Sequence, residues 1–302
     1  MMESRSLAHI AMMAFSFLVA GSYSIGGQIS TLVDPLALMT IRFGLAVVLI
    51  GLIAVASVRF DAAFVQAPWR YLALGGLLAT FFALMFIALQ SATPLSTSAV
   101  FTMTPFLSAL FGGLILRQIP SAKVLLVLGI GAIGALWIIF EGNPVAIFAL
   151  GIGRGEAIFF AGCVAYALYV PLAAWLNRGE PTAYVALFAT ISGFIFLLTL
   201  SGPRIAATDW TTLPFIVWSG LAYITIGATV LTFLLIQFAA LNLDSLNVMS
   251  YTFLTPGWVL LWELALTGDL PNSQTLVGVV ITVAVMITLF RISHTPGKQK
   301  LA

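Results

Sequence analysis

Few residues in this 302-residue sequence could do chemistry, and their placement limits which chemistry is open to them. The one cysteine, Cys163, lies inside an apolar run, and the two histidines, His9 and His294, stand near opposite ends of the chain. That set makes neither an intrachain disulfide nor a metal-ligand cluster, so no metal or other cofactor is expected. An intramembrane enzyme would need a histidine paired with a serine, or an aspartate-rich diphosphate motif, and the sequence has neither. Only Arg42 and Glu263 place a charge within apolar segments. Arg42 follows Pro35 by seven residues, roughly 10 Å of helix. At that depth its guanidinium must find a carboxylate, carbonyls or headgroups, and snorkelling, capping a neighbouring helix and binding a substrate are all open readings. Glu263, a turn from the end of its segment, reads as a solvated interfacial carboxylate. No buried acid with a histidine offers a proton relay.

Recognition is left to aromatic, sulfur and hydroxyl side chains around two Thr–Pro pairs. Pro105 and Pro256 fall inside apolar segments, where a missing N–H and a ring clash free a carbonyl one turn earlier. In a membrane that carbonyl needs a partner or a polar cavity, so each proline reads as a helix break that could gate a path, or as a simple kink. Phe101 with Thr104, and Thr252 with Thr255, share a helical face at a spacing of three. Phe81, Phe82 and Met85 occupy one flanking segment, Thr232, Phe233 and Ile236 another, and Tyr166 and Tyr169 a third. Such a lining suits a planar apolar side chain through stacking and sulfur contacts. Because the chain holds 23 phenylalanines, simple packing stands beside ligand contact as a reading for each ring. The candidate substrate-binding set is Phe81, Phe82, Met85, Phe101, Thr104, Tyr166, Phe233, Thr252 and Thr255, with Pro105 and Pro256 as the breaks.

The elements that must position these residues follow from composition. With 61% apolar and 7% charged residues, the chain departs from the roughly 45–50% and about 25% of a soluble domain. At about 20 apolar residues per span, the inventory suffices for about nine or ten membrane-crossing helices. Runs bounded by charges, Pro, Asn and Asp predict ten, at 7–28, 35–57, 69–90, 95–116, 122–140, 155–176, 183–201, 212–240, 246–267 and 274–292. The eighth is long enough to need a tilt or a break near Gly227. The N-terminal run has the outline of a signal peptide but reads as a retained span, since apolar character recurs to the end of the chain. Gly151, Gly153 and Gly155 follow no strand and lack a Walker-type lysine, so they read as a flexible connector. Gly75, Gly76, Gly112, Gly113, Gly129, Gly131 and Gly134 read as points of close helix contact. The 12 Lys and Arg against 10 Asp and Glu are scattered among short loops, which excludes nucleic-acid binding.

The charges also set orientation. With a cytoplasmic N-terminus, Arg5, Arg59, Arg70, Arg117, Lys123, Arg178, Arg291, Lys298 and Lys300 share one side, against Arg154 and Arg204 on the other. That bias places both termini in the cytoplasm. A shift of 151 residues lays Thr104–Pro105 on Thr255–Pro256, Ile119–Pro120 on Leu270–Pro271, and Phe82 on Phe233. A shift of 146 lays Asp34–Pro35 on Glu180–Pro181 and Tyr23 on Tyr169. Units of five spans each, 1–146 and 147–302, enter the membrane from opposite sides, and the fold class is therefore all-α, with ten transmembrane helices as two inverted five-helix repeats. Such repeats build many secondary transporters, which hold a small-molecule substrate near the midplane. A single intramembrane cation is too little for phosphorylated cargo and suits a neutral or zwitterionic one.

The segment from Asp34–Pro35 to Arg42–Phe43, and the Thr104–Pro105 to Ile119–Pro120 pattern repeated at Thr255–Pro256 and Leu270–Pro271, resemble the drug/metabolite transporter superfamily. The likeness is to its ten-helix branch with two EamA domains and covers essentially the whole chain. The acidic residue usual after the family's fourth and ninth helices is Arg117 or Gln118 here, and Gly268 or Asp269 in the second half. Phe188 stands at the counterpart of Arg42. These departures are compatible with YddG-type exporters of aromatic amino acids. The resemblance implies a secondary transporter in a bacterial inner membrane that exports small zwitterionic metabolites, aromatic amino acids foremost, by alternating access. An exporter of other metabolites or drugs is the alternative, and a channel, a structural membrane component or an intramembrane enzyme are readings of other classes.

Overall fold

A computed structural model describes residues 2–117, 120–145, 152–268 and 271–293. Gln118, Ile119, Gly151, Asp269, Leu270, His294, Lys298, Lys300 and the expected boundary at 146/147 lie outside the described residues. Among the described residues ten long helices, three of them interrupted, follow in order. They are α1 (Met2–Ile29), α2 (Pro35–Ser57), α3 (Trp69–Ala88), α4 (Pro94–Phe101 and Thr104–Ile115), α5 (Ala122–Ile139), α6 (Arg154–Leu176) and α7 (Thr182–Ala207). Then come α8 (Phe215–Ala222, Tyr223–Leu231 and Thr232–Ala240), α9 (Ser245–Ser250, Tyr251–Leu254 and Thr255–Leu266) and α10 (Ser273–Ser293). Among the described residues, 9 helices are long and apolar enough to cross a membrane. The tenth, α9, covers the expected span but is interrupted by a 3-10 turn at Tyr251–Leu254. The protein is a multi-pass, all-helical membrane protein.

Local chemistry explains where the helices begin and break. Asp34 caps α2 by accepting from the N–H groups of Leu36 and Ala37, both at 3.0 Å, and Pro35 opens the helix where no N–H is needed. Thr93 with Pro94 does the same for α4, and Ser121 caps α5. Both Thr–Pro pairs restart a helix. In α4 the chain tightens at Thr102 and Met103, whose N–H groups bond to Ala99 and Val100, and then resumes at Thr104 with Pro105 in the first turn. In α9 the 3-10 turn hands over to Thr255–Pro256. The break expected near Gly227 is a stretch of π-helix, Tyr223–Leu231, in which the Thr229 hydroxyl donates to the carbonyl of Ile224 at 2.8 Å. Two boundaries differ most from expectation: α1 starts at Met2 rather than at 7, and α7 continues through Gly202–Pro203 to Ala207 rather than ending at 201. A single proline removes one bond from the ladder, and the following turn is fastened by Arg204 to Asp34 at 2.8 Å.

Packing places α3 at the centre. It lies against α6 and α7; α2 lies against α7 and the π-segment of α8; α1 packs on α8 and α9; the second half of α4 packs on α6; and α5 pairs with α10. Glycine sets the closest approaches. A Cβ on Gly75 would meet the carbonyl of Ala189 and stand 2.6 Å from the Gly193 nitrogen, so α3 and α7 touch backbone to backbone. Gly134 and Gly278 serve the α5–α10 contact, where a Cβ on Gly278 would stand 2.9 Å from the Gly134 carbonyl. Gly131 seats the Phe253 ring. Gly76, Gly112 and Gly129, expected to do likewise, meet nothing within 4 Å and serve no such contact. Gly75→Ala is therefore expected to destabilise the protein by about 1–3 kcal/mol through overpacking. Gly76→Ala, in open space, should be neutral or stabilising, as alanine favours a helix. Thermal unfolding of the two detergent-solubilised variants separates the cases.

Candidate functional site

The interior between α1, α3, α4 and α6 holds an aromatic cluster. Phe81 lies 4.7 Å from Tyr166, 5.6 Å from Phe159 and 5.7 Å from Phe101, centroid to centroid. Tyr23 completes it, 6.1 Å from Phe101 and 5.9 Å from Phe159, while Tyr166 stacks on Tyr169 at 5.9 Å. These spacings lie in the range of favourable ring pairs. Phe82 packs on Phe81 at 5.0 Å and on Phe43 at 6.0 Å, and Met85 is buried in the same core. Two hydroxyls at this cluster are orphaned. Tyr23 Oη meets no hydrogen-bond partner, and neither does Thr104 Oγ1, although it sits beside the Cys163 thiol. Most buried polar atoms are paired, so unpaired ones at a single site mark unused binding capacity.

One ring away lies Arg42, which is 1% exposed. Its Nε and Nη2 donate to Thr229 Oγ1 at 3.1 and 2.9 Å, its Nη1 approaches Met39 Sδ at 3.7 Å, and its guanidinium carbon stands 4.1 Å from the centre of the Phe82 ring. Arg42 thus does not snorkel, and it caps no helix end.

Two ion pairs tie the first five helices to the last five at opposite ends of α7. At one end Arg70 donates to Glu180 Oε1 at 2.6 Å, to the Leu176 carbonyl at 2.7 Å and to the Gln66 carbonyl at 3.0 Å; the pair's side chains are 3% and 6% exposed. Burial raises the Glu180 carboxyl, but the bonds from Arg70 and from the Arg178 N–H prevail, and it titrates below its ordinary value. At the other end Arg204 meets Asp34 with side chains 54% and 28% exposed, beside an open cavity of about 380 Å³ that Gln90 also lines. The Asp34–Pro35 and Glu180–Pro181 pairs are each met by an arginine from the opposite half of the chain.

The structure brings five expected residues into contact or into one core: Phe81, Phe82, Met85, Phe101 and Tyr166. Thr104 and Pro105 are buried at the adjoining α4 break, with Thr104 Oγ1 unpaired. Phe233, Thr252 and Thr255 are not part of that core; among the described residues Phe233 makes no ring contact, Thr252 is half-buried, and Thr255 and Pro256 are buried at the α9 break. Tyr23 and Phe159 were missed as site residues. Tyr23 could have been found, because its tyrosine counterpart at the 146 shift lies next to Tyr166 on α6; Phe159 is one of many phenylalanines and carries no such signal.

Comparison with known proteins bears on this arrangement. The EamA-like transporter family is matched by residues 6–140 and again by residues 153–291. The chain is 27% identical over 233 residues to a Bacillus subtilis (strain 168) protein described as the uncharacterized transporter YyaM, covering 75% of each. Its fold is similar to that of a protein of known crystal structure, with a TM-score of 0.67 over 95% of this chain and 99% of the other, at 16% identity.

Proposed function

We propose, given that this chain belongs to the EamA-like transporter family and is a membrane transporter of the drug/metabolite transporter superfamily, that its cargo is a small zwitterionic metabolite, an aromatic amino acid foremost. The cargo leaves the cell by alternating access through a cavity between two inverted five-helix repeats, residues 1–146 and 147–302. The observation that carries the reading is the aromatic cluster with its unpaired Tyr23 and Thr104 hydroxyls, which offers an aromatic side chain ring partners and polar atoms at once. The repeat is supported by the two separate family matches and by the packing. Exchanging each helix with the one five places on turns the α3–α6 contact into α8–α1, and the α4–α6 contact into α9–α1. Both termini lie in the cytoplasm of a bacterial cell whose inner membrane the protein spans. Purified protein in liposomes is expected to move phenylalanine or tryptophan down a gradient with saturation and countertransport. Absence of flux for every amino acid tested removes that substrate class, and flux without saturation replaces the carrier with a channel.

A further inference from the structure

We propose that Arg42 is the anchor for the carboxylate of the transported molecule, an assignment that rests on the zwitterionic cargo proposed above. A guanidinium carries five N–H donors and a full charge. Here its partners are one hydroxyl oxygen and a thioether, with a phenylalanine ring beneath. The other arginine with little exposure, Arg70, shows what a purely structural site supplies in this same protein: a carboxylate and three carbonyls. Among the described residues no carboxylate pairs with Arg42, so its guanidinium has no counter-charge. A buried charge without one is costly, and an anion that arrives as cargo would provide it.

The surroundings restrict what that anion meets. A small cavity of about 20 Å³, room for roughly one water, lies between Arg42, Phe82, Thr190 and Thr229. The Thr229 hydroxyl gives its proton to Ile224 and the Thr190 hydroxyl gives its proton to Ala186, so the guanidinium is the donor left for an acceptor-only group. Phe43, Leu78 and Phe82 make the remaining wall apolar. From Phe82 the ring contacts lead to Phe81 and on to Tyr166, so one chain of packed rings links Arg42 to the aromatic cluster. Thr229, which holds the guanidinium, belongs to the π-helical stretch of α8. Such stretches recur at functional sites, and a shift of this one would exchange the hydroxyl for a carboxylate.

The test uses full-length protein in detergent, with binding read as saturable thermal stabilisation and flux read in proteoliposomes. The probes are L-phenylalanine, benzoate, L-phenylalaninamide and chloride. Wild type is expected to bind phenylalanine and benzoate at least about tenfold more tightly than the amide, the usual scale for losing a buried charge-assisted contact. Arg42→Gln should bind phenylalanine and its amide alike, and Arg42→Lys should keep part of the preference. Equal binding of acid and amide by wild type overturns the assignment without any variant, as does a preference that survives in Arg42→Gln. Stabilisation by chloride alone, with no response to either carboxylate, also overturns it. The two readings fail separately. Saturable phenylalanine flux that ignores Arg42 removes the anchor and keeps the function; Arg42-dependent benzoate binding with no amino-acid flux keeps the anchor and removes the amino-acid cargo.

Discussion

Thr104→Trp is expected to bring phenylalanine flux in proteoliposomes to the level of protein-free vesicles while the protein still reaches the membrane. Thr104 stands at the restart of α4, buried, with its hydroxyl unpaired beside Cys163. An indole at that position would crowd the rings of Phe101, Phe81 and Tyr166, where the proposed cargo would bind. Thr255→Trp, at the corresponding restart of α9, is expected to act the same way from the other half. Normal flux in both variants would move the site elsewhere. Thr104→Val separates crowding from chemistry, because it keeps the shape and removes only the hydroxyl. Losing one hydrogen bond to cargo, worth about 0.5–1.5 kcal/mol, should raise half-saturation by about two- to tenfold with the maximal flux kept.

Glu180→Ala should lower the stability of the solubilised protein by about 3–5 kcal/mol, since it leaves the Arg70 guanidinium buried without its carboxylate. Replacing both partners by methionine should recover most of the loss, because an apolar pair of similar volume carries no desolvation penalty. Arg204→Ala, at the exposed pair, should change stability by about 0–1 kcal/mol. The same comparison has a pH signature. The Glu180 carboxyl is held below its ordinary value in the folded protein, so its contribution is full above the unfolded value and is lost as pH falls through the lower, folded one. Acid should therefore narrow the gap between wild type and Glu180→Ala, which a pH series of unfolding midpoints would reveal. A gap that widened in acid would contradict the assignment.

Much of this was legible because membrane helices announce themselves by length and punctuation. Asp34–Pro35, Thr93–Pro94 and Ser121 open helices for reasons local to those residues, and the expected starts of α2, α4 and α5 lie within a residue of those observed. Gly202–Pro203 misled the reading of α7, because the same residue type that ends a helix in isolation is tolerated where tertiary contacts hold the next turn. The site was half legible. Phe101 shares a helical face with Thr104 at a Thr–Pro break, Phe81 and Tyr166 stand on other segments of the candidate set, and the three rings do meet. That Tyr23 joins them from α1, and that Arg42 finds Thr229 from 187 positions away, depends on how helices pack, which no local pattern encodes. The charge bias also conceals a mixture: Arg70, counted among the orienting cations, is 2% exposed and held by an acid of the second half.

The two ion pairs differ in exposure, and so should differ in their response to salt. Dissolved ions screen exposed charges over about 8 Å at physiological salt and reach a dry pair far less. The Arg204–Asp34 pair is wetted and the Arg70–Glu180 pair is not. Salt on the Arg204 side therefore loosens one fastening of the molecule, while the same salt on the far side leaves its counterpart intact. The two fastenings of α7 should therefore answer differently to one and the same salt solution.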